Sequence, residues 1–258
     1  MLLTDGCPNT TEDLRVYESA ILDVANTEFI DLKTKLELAT GEISEEVIDT
    51  LLDRPLIPGQ PVGDPQGVAR RTIGVSDVVV TRQLKRWHAL HALAVVYRDA
   101  FNNQLNDRYQ VKSAEYHELE RVAREHTLRF GIGLVYRPIP QAATPSASFT
   151  SGGAGGTYYV QVAWVGAGGV EGSPSELTAF DATAGTSAVL GMGAAPAGAT
   201  GYNVYAALTP GPVALQNSTP LGTGQSFTLS GALVTGRAPT GGQIPDVYVT
   251  FPRLSRRG

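Results

Sequence analysis

The spacing of apolar residues in positions 76–130 predicts one very long helix. Apolar and aromatic side chains recur there at steps of three and four, as on one face of an α-helix, and no proline or glycine interrupts the stretch. Ser76 or Asp77 can cap its beginning. The helix would be either continuous or broken near Asn102 and Asn103. In both forms its apolar stripe needs cover, from other subunits or from the chain folding back on itself.

The residues before this stretch predict two shorter helices and an extended connection. The apolar pattern supports a first helix from Thr10 or Thr11 to about Ala39 and a short one over residues 45–52. Four prolines and four glycines in residues 54–74 exclude a regular helix there. Connections of that length are commonly functional or held by a partner.

From Thr157 onward apolar side chains recur at every second residue instead of at helical spacing, which predicts strands. The run TYYVQVAWV alternates, and further short runs follow it, separated by Gly and Pro turns. Short strands at this spacing are typical of an all-β sandwich. We expect one phase of the alternating run to form its core: Tyr158, Val160, Val162 and Trp164.

The predicted fold class is therefore multidomain, α then β. An N-terminal helical bundle with one very long helix precedes a C-terminal β-sandwich of immunoglobulin-like or fibronectin type III-like form. The charge distribution supports the division, because residues 1–140 carry 16 of the 20 basic and 21 of the 25 acidic residues. The expected boundaries are 1–140 for the helical domain, 141–156 for a Gly/Ser/Pro linker, 157–245 for the β-sandwich, and 246–258 for a C-terminal strand and basic tail.

Composition and motifs argue against an enzyme, a membrane protein and a nucleic-acid-binding surface. The net charge is −5, no segment approaches 18 consecutive apolar residues, and a single Cys7 cannot form a disulfide within the chain. The glycine-rich run SGGAGGT lacks the Lys-Ser/Thr of a phosphate loop. His88 and His91 could offer two imidazoles to a metal, but no third ligand is evident, so packing in a helical interface is favoured. We expect no catalytic site, cofactor or metal.

The helical half resembles the head-to-tail adaptor (connector) proteins of tailed bacteriophages. The resemblance rests on the N-terminal helices, the Pro/Gly connection and the segment LNDRYQVKSAEYHELERVAREHTLRFGIGLVYRPIP. The β half is similar to immunoglobulin-like or fibronectin type III modules of phage virion proteins, in TYYVQVAWVGAGGVEGSPSELTAF and APAGATGYNVYAAL. These two segments stand in the reverse of their usual order within one module, so the strand order would be permuted or the module truncated.

The resemblance implies a structural virion protein at the head-tail junction, made in the host cytoplasm and without membrane contact. Its copies would form a ring, expected to be a dodecamer, that binds the portal protein on one side and tail or neck proteins on the other. DNA would pass through its channel without specific contacts, and the β domain would project outward and decorate the neck. The candidate interface residues are Arg70, Arg71, Tyr109, Tyr116, Arg253, Arg256 and Arg257.

Two other functions remain open on the sequence alone. A tail fibre or neck-appendage protein would use the β domain to bind glycan on the host surface. An enzyme with an accessory β domain would need a catalytic constellation, and the sequence patterns contain none of the usual ones.

Overall fold

The computed structural model describes residues 1–52 and 73–251. The chain forms two units. A helical unit comprises Gly6–Val135 and Pro245–Gly258, and a β unit comprises Met1–Asp5 and Tyr136–Ile244. The chain therefore leaves the β unit after its first residues, enters it again after the helices, and ends in the helical unit. Five of the candidate interface residues lie outside the described residues: Arg70, Arg71, Arg253, Arg256 and Arg257.

The described helices are short at the start of the helical unit and long later. They are α1 (Thr11–Arg15), α2 (Ile21–Thr27), α3 (Leu32–Leu52), α4 (Arg82–Gln104) and α5 (Asp107–Phe130). The predicted division into a helix ending near Ala39 and another over residues 45–52 is wrong, because α3 runs through Gly41. Its buried face continues without a gap at helical spacing, and this packing outweighs the roughly 1 kcal/mol that a glycine costs inside a helix: Leu32, Leu36, Ala39, Ile43, Val47 and Leu51.

Of the two forms predicted for residues 76–130, the structure has the broken helix and not the continuous one, because the chain turns at Leu105, close to the predicted break near Asn102 and Asn103. Leu105 has left-handed backbone angles, φ 50° and ψ 36°, and Asn106 then caps α5 by accepting a hydrogen bond from the amide of Arg108. Helices α4 and α5 pack against each other in antiparallel fashion, with the rings of Tyr97 and Tyr116 stacked 5.5 Å apart. Much of the apolar stripe is thus covered by the chain itself. The cap of α4 is Thr81, rather than the predicted Ser76 or Asp77.

A small sheet completes the helical unit. Strand β1 (Ile132–Leu134) follows α5 and pairs antiparallel with β10 (Val247–Val249), which comes from the other end of the chain. The amide of Val79, just before α4, donates to the carbonyl of Gly133 at 2.9 Å. A side chain at Gly133 would meet the ring of Pro245 at 2.5 Å, so glycine permits this close approach.

The β unit contains the remaining strands in two antiparallel sheets. Their bounds are β2 (Ser146–Ser151), β3 (Gly156–Gly166), β4 (Thr178–Ala182), β5 (Thr186–Gly191), β6 (Ala199–Ala207), β7 (Ala214–Leu215), β8 (Leu221–Gly222) and β9 (Phe227–Leu229). One sheet has the order β4-β3-β6-β7 with β8 also paired to β6, and the other has the order β2-β5-β9.

Residues from both sheets of the β unit share one apolar core. Alternate residues of β3 enter this core as the sequence pattern predicts, and β5 and β6 contribute Leu190, Tyr202 and Val204. The prediction of a core phase is confirmed for all four residues: Tyr158, Val160, Val162 and Trp164.

The predicted linker over residues 141–156 needs correction. Residues Ser146–Ser151 form β2, which pairs with β5 along its whole length, and Ala142 is buried in the core. The segment has the composition of a linker because it is rich in small and polar residues. An edge strand that leaves most of its side chains in water can have that composition, since backbone pairing does not require large apolar groups.

Candidate functional site

Three tyrosines form a cluster between α4 and α5. Tyr97 stacks on Tyr116, and its ring centre lies 6.2 Å from that of Tyr109. The hydroxyl of Tyr116 donates to Glu18 at 3.0 Å, and Lys112 lies 3.2 Å from the same carboxylate. Burial, and next the carboxylate of Glu18, raise the pKa of Tyr116 well above its usual range, so the phenol stays neutral.

The two tyrosines among the candidate interface residues have intramolecular contacts. Tyr116 is only 4% exposed, which leaves it little surface for a partner. The hydroxyl of Tyr109 donates to the carboxylate of Glu28 at 2.9 Å, and the side-chain amide of Asn103 donates to the Glu28 carbonyl at 3.1 Å. Tyr109 thereby ties the junction of α2 and α3 to the turn between α4 and α5. An additional interface role for Tyr109 stays a prediction.

Replacing Tyr116 by Phe should lower the free energy of unfolding of the helical unit by about 1 kcal/mol. The ring keeps its stacking on Tyr97, and the hydroxyl loses its hydrogen bond to Glu18 at 3.0 Å and a longer one to the carbonyl of Tyr17 at 3.5 Å. Urea unfolding followed by circular dichroism at the helical band would measure the change. Tyr17→Phe is a matched control, since the Tyr17 hydroxyl has no hydrogen bond among the described residues, and its variant should unfold like wild type. Equal stability of all three proteins would contradict the assigned role.

The two histidines of α4 have different environments. His88 is fully buried, its Nδ1 accepts a hydrogen bond from the amide of Asn9 at 2.9 Å, and its Nε2 lies 3.1 Å from the carbonyl oxygen of Leu36. Burial lowers the pKa of His88 to about 4, so the imidazole is neutral near pH 7. Both ring nitrogens are satisfied by the protein, and His88 therefore serves as a core residue.

His91 instead joins three helices through two carboxylates. Its Nε2 lies 2.5 Å from Glu42 of α3 and its Nδ1 lies 2.8 Å from Glu120 of α5, while His117 stands 3.4 Å from the other oxygen of Glu120. Burial alone would lower the pKa of His91, but the two carboxylates together outweigh it and raise the pKa. Across the described residues, no group of three or more His, Cys, Asp or Glu side chains is arranged to hold a metal ion.

A basic cleft lies where α1 meets the beginning of α4. Its volume is about 210 Å³, and it is lined by three basic residues of α4 and by residues of the N-terminal segment: Asn9, Asp13, Val16, Tyr17, Arg82, Lys85 and Arg86. Lys85 pairs with Asp13 at 3.3 Å. Arg82 and Arg86 are exposed and have no ion-pair or hydrogen-bond partner in the part of the chain that the structure describes. The cleft therefore presents two guanidinium groups that have no partner among the described residues, together with the apolar side chains of Val16 and Tyr17.

The opposite end of α4 carries a second cleft, of about 320 Å³, with two exposed apolar residues near it. The cleft is lined by Phe29, Ile30, Asp31, Thr34, Lys35, Asp99 and Asn103. Lys35 forms an ion pair with Asp99, and the exposed Asp31 accepts hydrogen bonds from the hydroxyl of Thr34 and the amide of Lys33. Phe29 and Leu105 are the two described residues other than glycine with positive φ angles.

The β unit has one buried carboxylate, Glu171, which follows the glycine turn after β3. One of its oxygens accepts from Asn203 at 2.9 Å and from the hydroxyl of Tyr205, and the other accepts from Arg237 and Thr240 at 3.0 and 3.1 Å. Burial raises the pKa of Glu171, but these donors outweigh it and lower the pKa below its usual range. Sequence reasoning missed this network, although one of only four acids after residue 140 stands there.

Comparison with models of known protein families gave no match, and comparison with curated protein sequences gave no significant match. Among the described helices, none combines the length and the hydropathy that crossing a membrane requires. Function is therefore inferred from the chain's own residues.

Proposed function

We propose that the protein is a structural virion protein, a head-to-tail adaptor whose copies form a ring between the portal and the tail of a tailed bacteriophage. The resemblance of residues 1–140 to such adaptors motivates the proposal. The observation that carries it is that the helical unit leaves large apolar side chains uncovered on α5 and at both ends of α4. Those on α5 fall within about 100° around the helix: Val111, Leu119 and Phe130.

An apolar face of this kind is costly for a protein that works alone. Each large side chain gains about 1.5–3 kcal/mol when it moves from water into a packed interface. A ring built by a heterologous interface offers every subunit the same cover and leaves no open ends. The same helical unit would contact the portal and the tail proteins, and DNA would pass through the channel without specific contacts.

We further propose that the β unit is an immunoglobulin-like sandwich that decorates the neck. The common core of the two sheets supports a sandwich, because its members come from both β3–β6 and β5–β9. The alternative of a glycan-binding fibre protein finds less support. Sugar platforms use exposed aromatic rings, whereas four of the five large aromatic residues of β3 and β6 are buried and Tyr159 is half-buried. The buried four are Tyr158, Trp164, Tyr202 and Tyr205.

Antibody labelling of virions tests the function. Serum raised against the purified full-length protein should place gold particles at the junction of head and tail in electron micrographs. Serum pre-absorbed with the same protein provides the control and should leave the virions unlabelled. Label at fibre tips would favour the glycan-binding alternative, and virions without label would overturn the adaptor proposal.

A further inference from the structure

Two exposed apolar residues at one end of the helical unit lie on left-handed backbone. Phe29 has φ 54° and is 96% exposed, and Leu105 has φ 50° and is 73% exposed. The hydrogen bond from Asn103 to the carbonyl of Glu28 holds these two segments together. We call the pair Phe29 and Leu105, with the adjoining Asp31, the apolar tip.

The conformation of Phe29 is one that glycine usually supplies. The residue follows α2, and the amide of Ile30 donates to the carbonyl of Ala25 at 2.9 Å, which closes a Schellman-type turn around Phe29. A side chain in this conformation costs on the order of 1 kcal/mol relative to glycine. Because the ring is almost wholly exposed to water, its packing adds almost no stability to the fold of its own subunit. Strain combined with exposure points to a contact outside the subunit.

The basic cleft at the other end of α4 has the complementary chemistry. Its apolar lining residues are Val16, which is 82% exposed, and Tyr17. Its lining also includes Arg82 and Arg86. Arginine stacks favourably on aromatic rings and binds carboxylates with two parallel hydrogen bonds. An aromatic side chain followed closely by a carboxylate would therefore match both the apolar and the basic lining residues.

The apolar tip supplies that combination. Asp31 stands two residues after Phe29 and is exposed. The two nearest lysines are already engaged, Lys33 with Glu37 at 4.0 Å and Lys35 with Asp99. The carboxylate of Asp31 accepts one hydrogen bond on each oxygen, from the amide of Lys33 and the hydroxyl of Thr34, and each oxygen retains a second acceptor position for a cation beside the ring.

A subunit cannot fill its own cleft with its own tip. Arg86 and Asn103 mark the two sites on α4, and the separation of 17 positions between them corresponds to roughly 25 Å along the helix. Both sites lie on the same helical unit, so this separation is fixed by α4. Contact between them requires two copies of the chain.

We infer that the apolar tip of one copy inserts into the basic cleft of the next copy. Phe29 packs against Val16 and Tyr17 beneath a guanidinium, and Asp31 pairs with Arg82 or Arg86. Different surfaces of the two copies meet, so the interface is heterologous and repeats from copy to copy, as in a closed ring. The inference rests on the proposed self-assembly and specifies which surfaces carry it.

Replacing Phe29 by Gly separates an interface role from a structural one. Glycine relieves the left-handed strain, so the thermal midpoint of the isolated subunit should stay the same or rise. The dissociation constant for self-association should rise at least about 30-fold, as expected when an interface loses an anchor residue. Sedimentation velocity of the full chain over a concentration series measures this. Leu38→Gln, at an exposed apolar position of α3, is the matched control and should assemble as wild type does.

The basic cleft is tested by the double change Arg82→Gln and Arg86→Gln, with Arg98→Gln as the control on the same helix. We expect the double variant to lose association and the control to keep it. An equimolar mixture of the Phe29→Gly protein and the cleft variant is the decisive sample. One intact tip and one intact cleft remain between the two proteins, so the mixture should form dimers and stop there. A mixture that stays monomeric while wild type assembles would overturn the inference.

The outcomes also separate this inference from the proposed function. If the wild-type protein assembles and both variants assemble equally well, the tip-and-cleft contact is wrong and the ring survives. If wild type stays monomeric at every concentration, the inference is overturned, and antibody labelling at the neck decides the adaptor function independently.

Discussion

Replacing Glu171 by Ala should destabilise the β unit by about 3 kcal/mol. The substitution removes the acceptor shared by four donors, and Asn203 and Tyr205 lie in the buried part of the unit, where an unpaired donor costs about 1–3 kcal/mol. Arg237 is half-exposed and can turn to water, so its loss adds less. The free energy of unfolding therefore falls mainly because the buried donors are left without partners.

Hydrogen–deuterium exchange of the full chain would localise this effect. Peptides from β3 and β6 should exchange faster in Glu171→Ala, while peptides from α4 and α5 should be unchanged. Glu176→Ala, at an exposed glutamate of the same unit, should change stability by less than about 0.5 kcal/mol. If the peptides of β3 and β6 exchanged at the same rate in wild type and in Glu171→Ala, the network would contribute little to the stability of the β unit.

The same network makes the β unit sensitive to acid. The pKa of Glu171 is lowered from its usual 4.5 in the folded state, so its stabilising contribution is present above that value and is lost as pH falls through the lower folded pKa. The Glu171→Ala protein lacks this contribution. The stability difference between the two proteins should therefore shrink below about pH 4.

The sequence predicted best those features that depend on local period. Alternation in residues 157–165 identified the buried face of β3 because β3 lies between β4 and β6 and turns one set of side chains to the core. Helical spacing likewise identified the helical content of the N-terminal half. The absence of glycine from residues 76–130 also agrees with the structure, in which α5 stops at Phe130 and the next residue, Gly131, takes φ 107°.

The errors arose where tertiary structure overrides local signals. The turn between α4 and α5 is formed by Leu105, a residue with no turn preference, and the helical period continues on both sides of it. Helix α3 passes through Gly41 because its packed face is continuous. Strand β2 was missed because its residues are mostly small, polar and exposed, and only its partner β5 makes it a strand.

The candidate sites are even harder to predict from the sequence than the fold, because the residues that form them lie far apart along the chain. Glu171 meets Arg237, 66 residues later, and His91 meets Glu42 and Glu120 from two other helices. No spacing rule connects such pairs. Exposure of Phe29 on left-handed backbone is visible only once α2 and α3 are folded.

Replacing His91 by Gln should destabilise the helical unit by about 1–2 kcal/mol near pH 6. The charged imidazole joins Glu42 of α3 and Glu120 of α5, and a neutral amide cannot supply the positive charge that pairs with both carboxylates. Glu42 is partly exposed, so water compensates some of the loss. The other titratable and charged groups around the site are His88 on α4, Glu46 paired with Arg124, and His117 beside Glu120.

The pH dependence of this difference follows from the sign of the two pKa changes. The pKa of His91 is raised above 6.5, so its contribution is complete below that pH and is lost as pH rises through the raised value. Burial raises the pKa of Glu120, but its histidine partners outweigh burial and lower it below 4.5, so its contribution is lost only in stronger acid. The stability advantage of wild type should therefore be largest between about pH 4.5 and 6.5 and should decline toward higher pH.

Urea unfolding at a series of pH values, for wild type and His91→Gln, measures that decline directly. His126→Gln is the matched histidine substitution, because His126 packs edge-on to Phe130 at 6.3 Å and no ion pair holds it among the described residues, so it shows the effect of losing an imidazole that has no carboxylate partner there. A His91→Gln difference that is constant with pH would mean that the imidazole joins α3, α4 and α5 as a neutral group. A difference that grows with pH would contradict the raised pKa, since a raised pKa in the folded state can only lose stability as the proton leaves.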